Sequence, residues 1–124
     1  MRLHLKTSDE TCYLWLGDQQ FSWLAGRDLS RGLLKFLLES LESINQTWSA
    51  IDSIGVFRGP GSYTSLRIGL TVCNTLADGL SVPIVGTSDD HWRSQADELL
   101  DKGENHQIVL PIYYQPAVIT QPRK

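Results

Sequence analysis

Residues 59–69 read Gly59-Pro60-Gly61-Ser62-Tyr63-Thr64-Ser65-Leu66-Arg67-Ile68-Gly69. They follow an apolar run over residues 51–57 that has the length of a strand, and a helical pattern then continues from Tyr63 to about Leu80. We expect Gly79 near the C-terminal cap of this helix. A short apolar strand at 82–85 follows, and strand, helix and strand in this order predict a parallel β-α-β unit within an α/β fold.

The chain before this unit predicts an antiparallel meander and one helix. Residues 2–6, 11–16 and 20–24 have strand length and are separated by polar turn residues. From Asp28 the apolar period changes to 3.6, and either Asp28 or Ser30 supplies the N-cap. The apolar residues of this first helix are Leu29, Leu33, Leu34, Phe36, Leu37, Leu38, Leu41 and Ile44. They cover more than half of the helix circumference, whereas packing on one sheet needs a stripe of about 100°. The surplus apolar surface is the first indication of a partner.

The last third of the chain predicts a polar helix and one further strand. Ser88 is expected to cap a helix that runs through Leu100 and stops at Gly103, and residues 108–113 form the strand. The order βββαβαβα with this extra strand and a mixed sheet is that of a single ribonuclease-H-like lobe. We place that lobe at residues 1–103 and a short C-terminal strand and tail at 104–124.

The composition fits one globular domain. The chain has 124 residues, of which 41% are hydrophobic and 20% are charged. Eleven basic against fourteen acidic residues give a net charge of -3, which excludes a surface that grips a phosphate backbone by itself. The longest uncharged stretch, 107–122, contains prolines that exclude a membrane helix, and no signal peptide is recognised, so we expect a cytoplasmic protein.

Two interpretations of the glycine-rich turn remain open. Backbone N–H groups freed by glycine and a helix N-terminus can cradle an anion, or the glycines can simply permit a tight turn. The turn lacks the Gly-Lys-Ser/Thr ending of a P-loop and the spacing of a dinucleotide fingerprint. The candidate loop residues are Gly59, Pro60, Gly61, Ser62, Tyr63, Thr64 and Arg67.

A ridge of small side chains follows on the second helix. Its members lie four residues apart and are Ser65, Gly69, Cys73 and Ala77. Such a ridge lets another helix approach closely. That helix is either the first helix of the same domain, which we favour slightly, or a helix of another protein, and both hold if the two helices form half of a shared bundle.

Catalytic residues are not apparent. Nucleases and phosphotransferases of this fold class need carboxylates at the ends of the central strands to hold Mg²⁺, but Lys6 and Arg58 stand there. Cys12 and Cys73 lack metal-ligand spacing and are expected to be buried thiols, although a nucleophilic pairing with a histidine stays open. We predict no catalytic residue, no metal site and no cofactor.

The eleven residues quoted first resemble the Gly-Pro-Gly-Ser-Phe/Tyr-Thr-Gly-Leu-Arg-Ile-Gly signature of the bacterial TsaB proteins, also called YeaZ. Further similar stretches are Ser30-Arg31, Leu33-Leu34, Ile51-Asp52-Ser53-Ile54, Val82-Pro83-Ile84-Val85-Gly86 and Pro111-Ile112-Tyr113-Tyr114. Lys6 replaces the aspartate of the family's Asp-Thr-Ser, and Ser65 replaces a glycine of the signature. The resemblance covers residues 1–88 and implies a lobe of the actin-like ATPase superfamily with most of the second lobe missing.

The resemblance also implies a function. Family members are non-catalytic scaffold subunits that bind the catalytic subunit TsaD through the helices of the first lobe, with the ATPase TsaE joining, and support threonylcarbamoyladenosine formation on tRNA. The implied partners are therefore a TsaD-like protein, a TsaE-like ATPase or a second copy of this chain, while tRNA is contacted only indirectly. The expected interface residues are Leu33, Leu34, Leu37, Ser65, Gly69, Cys73 and Ala77. The alternatives are a single-lobe nucleotide hydrolase or glycoprotease-like enzyme and a repurposed protein-interaction module.

Overall fold

The computed structural model describes residues 1–112 and confirms the α/β class. Its elements are β1 (Arg2–Lys6), β2 (Thr11–Leu16), β3 (Gln19–Leu24), α1 (Leu29–Ser43), β4 (Ser53–Phe57), α2 (Tyr63–Leu80), β5 (Ile84–Thr87) and α3 (Trp92–Asp101). Short 3-10 turns at Gly26–Asp28 and Trp48–Ala50 precede α1 and β4. Within residues 1–112, no helix has the length and apolar character that crossing a bilayer requires.

The five strands form one mixed sheet in the order β3-β2-β1-β4-β5. β1, β2 and β3 pair antiparallel, which confirms the meander. β4 then pairs parallel with β1, and β5 pairs parallel with β4. The helices α1 and α2 therefore return the chain across the sheet to start two parallel strands in the same direction.

Strand side chains alternate between two helical layers because successive residues point to opposite faces of a sheet. Leu5 and Val56 belong to the main core, which α1 and α2 cover. On the other face, Val85 packs against Ala96 of α3. A Cβ atom on Gly55 would lie 2.8 Å from the Cβ of Ala96, so the absence of a side chain in β4 lets α3 lie directly on the sheet.

The cap of α2 is Ser81, whose φ of +57° ends the helix, and Gly79 lies two residues before it, near the cap as expected. Two expected boundaries need correction. β5 begins at Ile84, two residues later than expected. α3 begins four residues after Ser88 because Asp89 has a φ of +61°, which interrupts a right-handed helix.

The expected last strand is wrong for residues 108–112, which are irregular; Tyr113 and the expected tail lie outside the described residues. The backbone N–H groups on the outer edge of β5 donate to side chains and not to a further strand. The N–H of Ile84 donates to Oδ1 of Asn105 at 3.1 Å, and the N–H of Gly86 donates to Nδ1 of His106 at 3.0 Å. Because these backbone groups are already paired, they form no ladder with the following residues.

Candidate protein-binding surface

The glycine loop, residues 59–62, packs against the turn that follows β1. The N–H of Ser62 donates to the carbonyl of Ser8 at 3.0 Å. A Cβ atom on Gly61 would lie 2.8 Å from the Cβ of Ser8, closer than side chains approach one another. Gly61 therefore serves the contact between these two turns.

The other end of the glycine loop is covered by residues 110–112. The N–H of Ile112 donates to the carbonyl of Arg58 at 2.7 Å, and Nε of Arg58 donates to the carbonyl of Leu110 at 3.0 Å. Gly59 has a φ of +114°, and a Cβ atom there would collide with the backbone of Ile112. Both loop glycines thus allow close contacts within the chain, which is the tight-turn interpretation of the motif.

Gly69, about two turns into α2, serves a third contact of the same kind. Oγ1 of Thr7 donates to the carbonyl of Ser65 at 2.8 Å, which holds the start of α2 against the end of β1. A Cβ atom on Gly69 would collide with Oγ1 of Thr7. The small residue at this position therefore lets α2 sit on the sheet.

The carboxyl ends of β1 and β4 carry cations where metal-dependent members of this fold class carry acids. Nζ of Lys6 lies 4.6 Å from the centre of the Phe57 ring, a cation–π contact between the two strand ends. Arg58 follows directly. Among residues 1–112, no three His, Cys, Asp or Glu side chains are grouped as metal ligands. The residues present at the strand ends do not fit Mg²⁺.

The two cysteines are core residues. Burial raises the pKa of the Cys12 thiol to about 12 and raises that of the Cys73 thiol as well. Because the thiolate is the nucleophile, both side chains are unreactive at neutral pH. His106 accepts the N–H of Gly86 through Nδ1 and thus has a structural role.

His4 is the buried member of a partly exposed polar cluster between β1 and α3. Its Nε2 lies 2.9 Å from Oδ1 of Asp97, which also accepts a hydrogen bond from Nη1 of Arg2 at 3.0 Å. Nδ1 of His4 is buried and has no hydrogen-bond partner within residues 1–112. Burial lowers the pKa of His4, and the attraction of Asp97 offsets this only in part.

The structure separates the seven residues expected at a partner interface. The side chains buried in the core of this chain are those of Leu33, Leu37, Cys73 and Ala77, together with Gly69, which is buried under Thr7. Ser65 is half-buried, and Leu34 is 54% exposed. The ridge of small residues therefore packs inside the domain, but Ser65 and Gly69 meet Thr7 at the end of β1, which is not the contact with the first helix that we favoured. Leu34 is the main exposed member of the set.

The exposed apolar side chains of the two helices form what we term the helical surface. Its members are Leu34 and Leu38 of α1 and Tyr63, Ile68 and Val72 of α2, which are exposed or half-buried. A groove of about 420 Å³ runs between Ser30 and the N-terminal half of α2, with Arg67 on its wall. The sequence pattern did not indicate that Leu38, Ile68 and Val72 belong to this surface. The signal was available for Leu38, which lies one turn beyond Leu34 on the same side of the helix.

Comparison with known proteins identifies relatives of this chain. The family model that matches residues 23–110 is TsaD, tRNA N6-adenosine threonylcarbamoyltransferase. The tRNA threonylcarbamoyladenosine biosynthesis protein TsaB of Haemophilus influenzae is 31% identical over 107 residues, 83% of this chain and 45% of that protein. A tRNA N6-adenosine threonylcarbamoyltransferase of Lactobacillus johnsonii is 30% identical over 74 residues, 60% of this chain and 21% of that protein. This chain spans less than half the length of these curated relatives.

Solved structures agree with the sequence matches. YeaZ from Pseudomonas aeruginosa superposes with a TM-score of 0.64 at 30% sequence identity, covering 82% of this chain and 49% of that one. The similarity confirms a ribonuclease-H-like lobe of the actin-like ATPase superfamily.

Proposed function

Because this chain belongs to the TsaB family, within the wider family that the TsaD model describes, we propose that it is a non-catalytic subunit in tRNA threonylcarbamoyladenosine biosynthesis. In this role it binds a TsaD-like protein through the helical surface, with a TsaE-like ATPase as a further partner, in the cytoplasm. The observation that carries the proposal is the exposed apolar surface on α1 and α2, with Leu34 54% exposed at its centre.

The similarity to both kinds of relative supports this arrangement. Because the same residues resemble TsaB and TsaD, a TsaD-like partner presents a lobe of the same fold with equivalent helices. Two related lobes can pair through equivalent surfaces about an approximate twofold axis, and four helices then share one apolar core. A second copy of this chain presents the same two helices, but the occupant that we propose for the helical surface is the lobe of the TsaD-like protein.

The strand ends support a non-catalytic role. Lys6 occupies the space beside Phe57, and Arg58 adds a second cation next to the glycine loop. The net charge of -3 is consistent with tRNA being held by another chain of the assembly.

The test is binding of the 124-residue chain to the TsaD-like protein of the same organism. Leu34→Glu places a charge in the apolar centre of the helical surface, and we expect affinity to fall about thirtyfold or more, the effect of losing a hot-spot residue. The matched control is Leu110→Glu, because Leu110 is 65% exposed and lies away from α1. We expect the control to bind like the wild type and both variants to keep the wild-type melting temperature.

The same variants test the role in tRNA modification. In a strain that lacks this chain, we expect less threonylcarbamoyladenosine in digested tRNA by mass spectrometry, with restoration by Leu110→Glu and not by Leu34→Glu. An unchanged nucleoside level after deletion would contradict the tRNA role. Equal binding of both variants would contradict the assignment of the surface.

A further inference from the structure

The two edge strands of the sheet differ in whether their outward backbone groups have hydrogen-bond partners. The outer edge of β5 is covered, because Asn105 and His106 pair with its outward backbone groups. β3 is the opposite edge, and within residues 1–112 no strand pairs with its outer side. Natural edge strands usually carry a charge, a proline or a bulge that prevents pairing with another chain. β3 reads Gln-Gln-Phe-Ser-Trp-Leu and has none of these, since all six residues pair in unbroken register with β2.

The hydrogen-bond pattern identifies the outward groups of β3. Directly after the six residues of β3, the carbonyl of Glu10 accepts hydrogen bonds from the N–H groups of both Ala25 and Gly26, at 3.0 and 3.1 Å, so the ladder ends in a bulge in which Ala25 is hydrogen-bonded to Glu10. In an antiparallel ladder such pairs alternate with pairs whose backbone groups point away. The N–H and C=O groups that point to the free edge are therefore those of Gln20, Ser22 and Leu24.

We propose that β3 pairs antiparallel with β3 of a second copy of this chain, about a twofold axis at Ser22, which joins the two sheets into one. In this register Ser22 faces Ser22 of the second copy, and Gln20 faces Leu24. The N–H and C=O groups of these three residues then all have partners in both strands. The contact therefore contains six hydrogen bonds between the two chains. A register centred on Phe21 pairs Gln20 with Ser22 and leaves the outward groups of Leu24 without partners.

Side chains favour the same register. It places Phe21 opposite Trp23 of the second copy on the face that α1 covers, and cross-strand aromatic pairs stabilise sheets. It also brings Asp18, which precedes β3, near the exposed Arg27 that follows β3 in the second copy. The strand itself carries no charge that would repel its copy. A single twofold contact of this kind closes as a dimer and does not propagate into a fibre.

This dimer is distinct from the proposed complex with a TsaD-like protein. Trp23 packs against Phe36 of α1, so β3 lies beside one flank of that helix. Leu34 is rotated from Phe36 by two residues, about 200°, and thus belongs to the far side of the same helix. Both contacts can therefore exist in one assembly, and each can be disrupted alone.

Sedimentation velocity of the 124-residue chain over a wide concentration range tests the proposal. Ser22→Pro removes one outward N–H from each strand without touching the ladder to β2, since proline is tolerated where the N–H points away from the sheet. We expect the dimer to weaken by about tenfold to a hundredfold through loss of two hydrogen bonds. Ser22→Thr keeps the N–H and is the matched control, expected to dimerise like the wild type.

A second variant covers the case in which Ser22→Pro does not fold. Ser22→Lys keeps every backbone group and sets two like charges opposite each other at the twofold axis, so we expect a similar weakening. Leu34→Glu is expected to leave this dimer intact, and Ser22→Lys is expected to leave binding to the TsaD-like protein intact. The proposal is overturned if the wild type remains monomeric at all concentrations, if both weakening variants dimerise normally, or if Leu34→Glu abolishes the dimer.

Discussion

The inner and outer sides of the helical layer differ although the same two helices form both. On the inner side, Leu33 is 1% exposed and Cys73 is fully buried in the main core. On the outer side, Leu34 is 54% exposed and Leu38 is 38% exposed. Neighbouring residues of one helix, such as Leu33 and Leu34, thus belong to different surfaces because each residue is rotated by about 100° from the last.

This difference separates fold stability from the proposed binding. The glycines of the most distinctive motif of the chain, residues 59–69, make contacts within the domain. Gly61 contacts Ser8, and Gly69 contacts Thr7. The outer side has no motif of its own and consists of leucine, isoleucine and valine side chains together with Tyr63; two of its members, Tyr63 and Ile68, belong to residues 59–69. The glycines of the motif therefore serve the packing of this lobe, and apolar side chains from both helices form the surface proposed to bind a partner.

The largest expected effect comes from truncating matched leucines on the two sides. Leu33→Ala removes a side chain that is 1% exposed and leaves a cavity in the core, so we expect unfolding free energy to fall by about 3 kcal/mol. Leu34→Ala removes a largely exposed side chain from a helix that tolerates alanine well, and we expect a change within about 0.5 kcal/mol.

Urea denaturation of the two variants checks this contrast. The chain is small enough to unfold in one cooperative step, so the midpoint and slope give the free energy directly. Similar losses for both leucines would mean that Leu34 is covered by something that contributes to the fold, and the distinction between the two sides would fail.

A smaller effect is expected at two glycines of α2. Gly69→Ala adds a Cβ atom that collides with Thr7, and relieving this overlap requires α2 to move from the sheet; we expect a loss of about 2 kcal/mol. Gly79→Ala adds the same atom where nothing lies within 4 Å, and alanine there restricts the unfolded chain; we expect a gain of about 0.5 kcal/mol.

Thermal melting of both glycine variants measures this difference. Opposite shifts of the melting temperature would confirm that Gly69 serves packing. If Gly69→Ala melted like the wild type, the contact between α2 and the end of β1 would have little part in stability, and a role of Gly69 in binding would gain support.

The inner and outer sides of α1 and α2 also show which features of the structure the sequence predicts. Hydrophobic period predicts the helices and strands well, because it depends on local geometry that each residue imposes on the next. The structure confirms the predicted helix α2 over Tyr63–Leu80 and the predicted meander. Hydrophobic period does not decide which of several apolar strips of α1 is inward, since that depends on where the sheet and α2 lie. Of the three leucines of α1 that the family resemblance places at the interface, Leu33, Leu34 and Leu37, only Leu34 is exposed.

The edge of β5 shows a second limit. Residues 108–113 have strand-like composition, yet Asn105 and His106 pair with the edge through their side chains first. A hydrogen bond that a side chain accepts just before an apolar run has no periodic signal, so the sequence pattern predicts a strand where residues 108–112 are irregular. The same limit applies to the contact of Gly59 with Ile112, which joins residues far apart in the chain.

The smallest expected effect concerns the other face of the sheet, where a polar cluster lies beside the apolar contacts of α3. Burial lowers the pKa of His4, so the folded chain binds a proton there less readily than the unfolded chain does. The stability that neutral His4 contributes is fully present above the ordinary histidine pKa of about 6.5. It is lost as the pH falls through the lowered pKa that His4 has in the folded chain. We expect unfolding free energy to decrease between about pH 7.5 and about pH 5.5, measured by urea denaturation.

Variants assign this pH dependence to one histidine. His4→Gln removes the titrating group and is expected to flatten the slope, whereas His91→Gln changes an exposed histidine and is expected to keep it. Asp97 attracts a proton to His4, while Arg2 and Arg93 oppose it, and burial acts in the same direction as the two arginines. If the attraction of Asp97 exceeded burial, protonation would strengthen the contact between β1 and α3, and His4→Gln would lower stability more at the acidic pH than at the neutral one. A flattened slope in His4→Gln would instead mean that desolvation governs this cluster, as it governs the cysteines in the core on the opposite face.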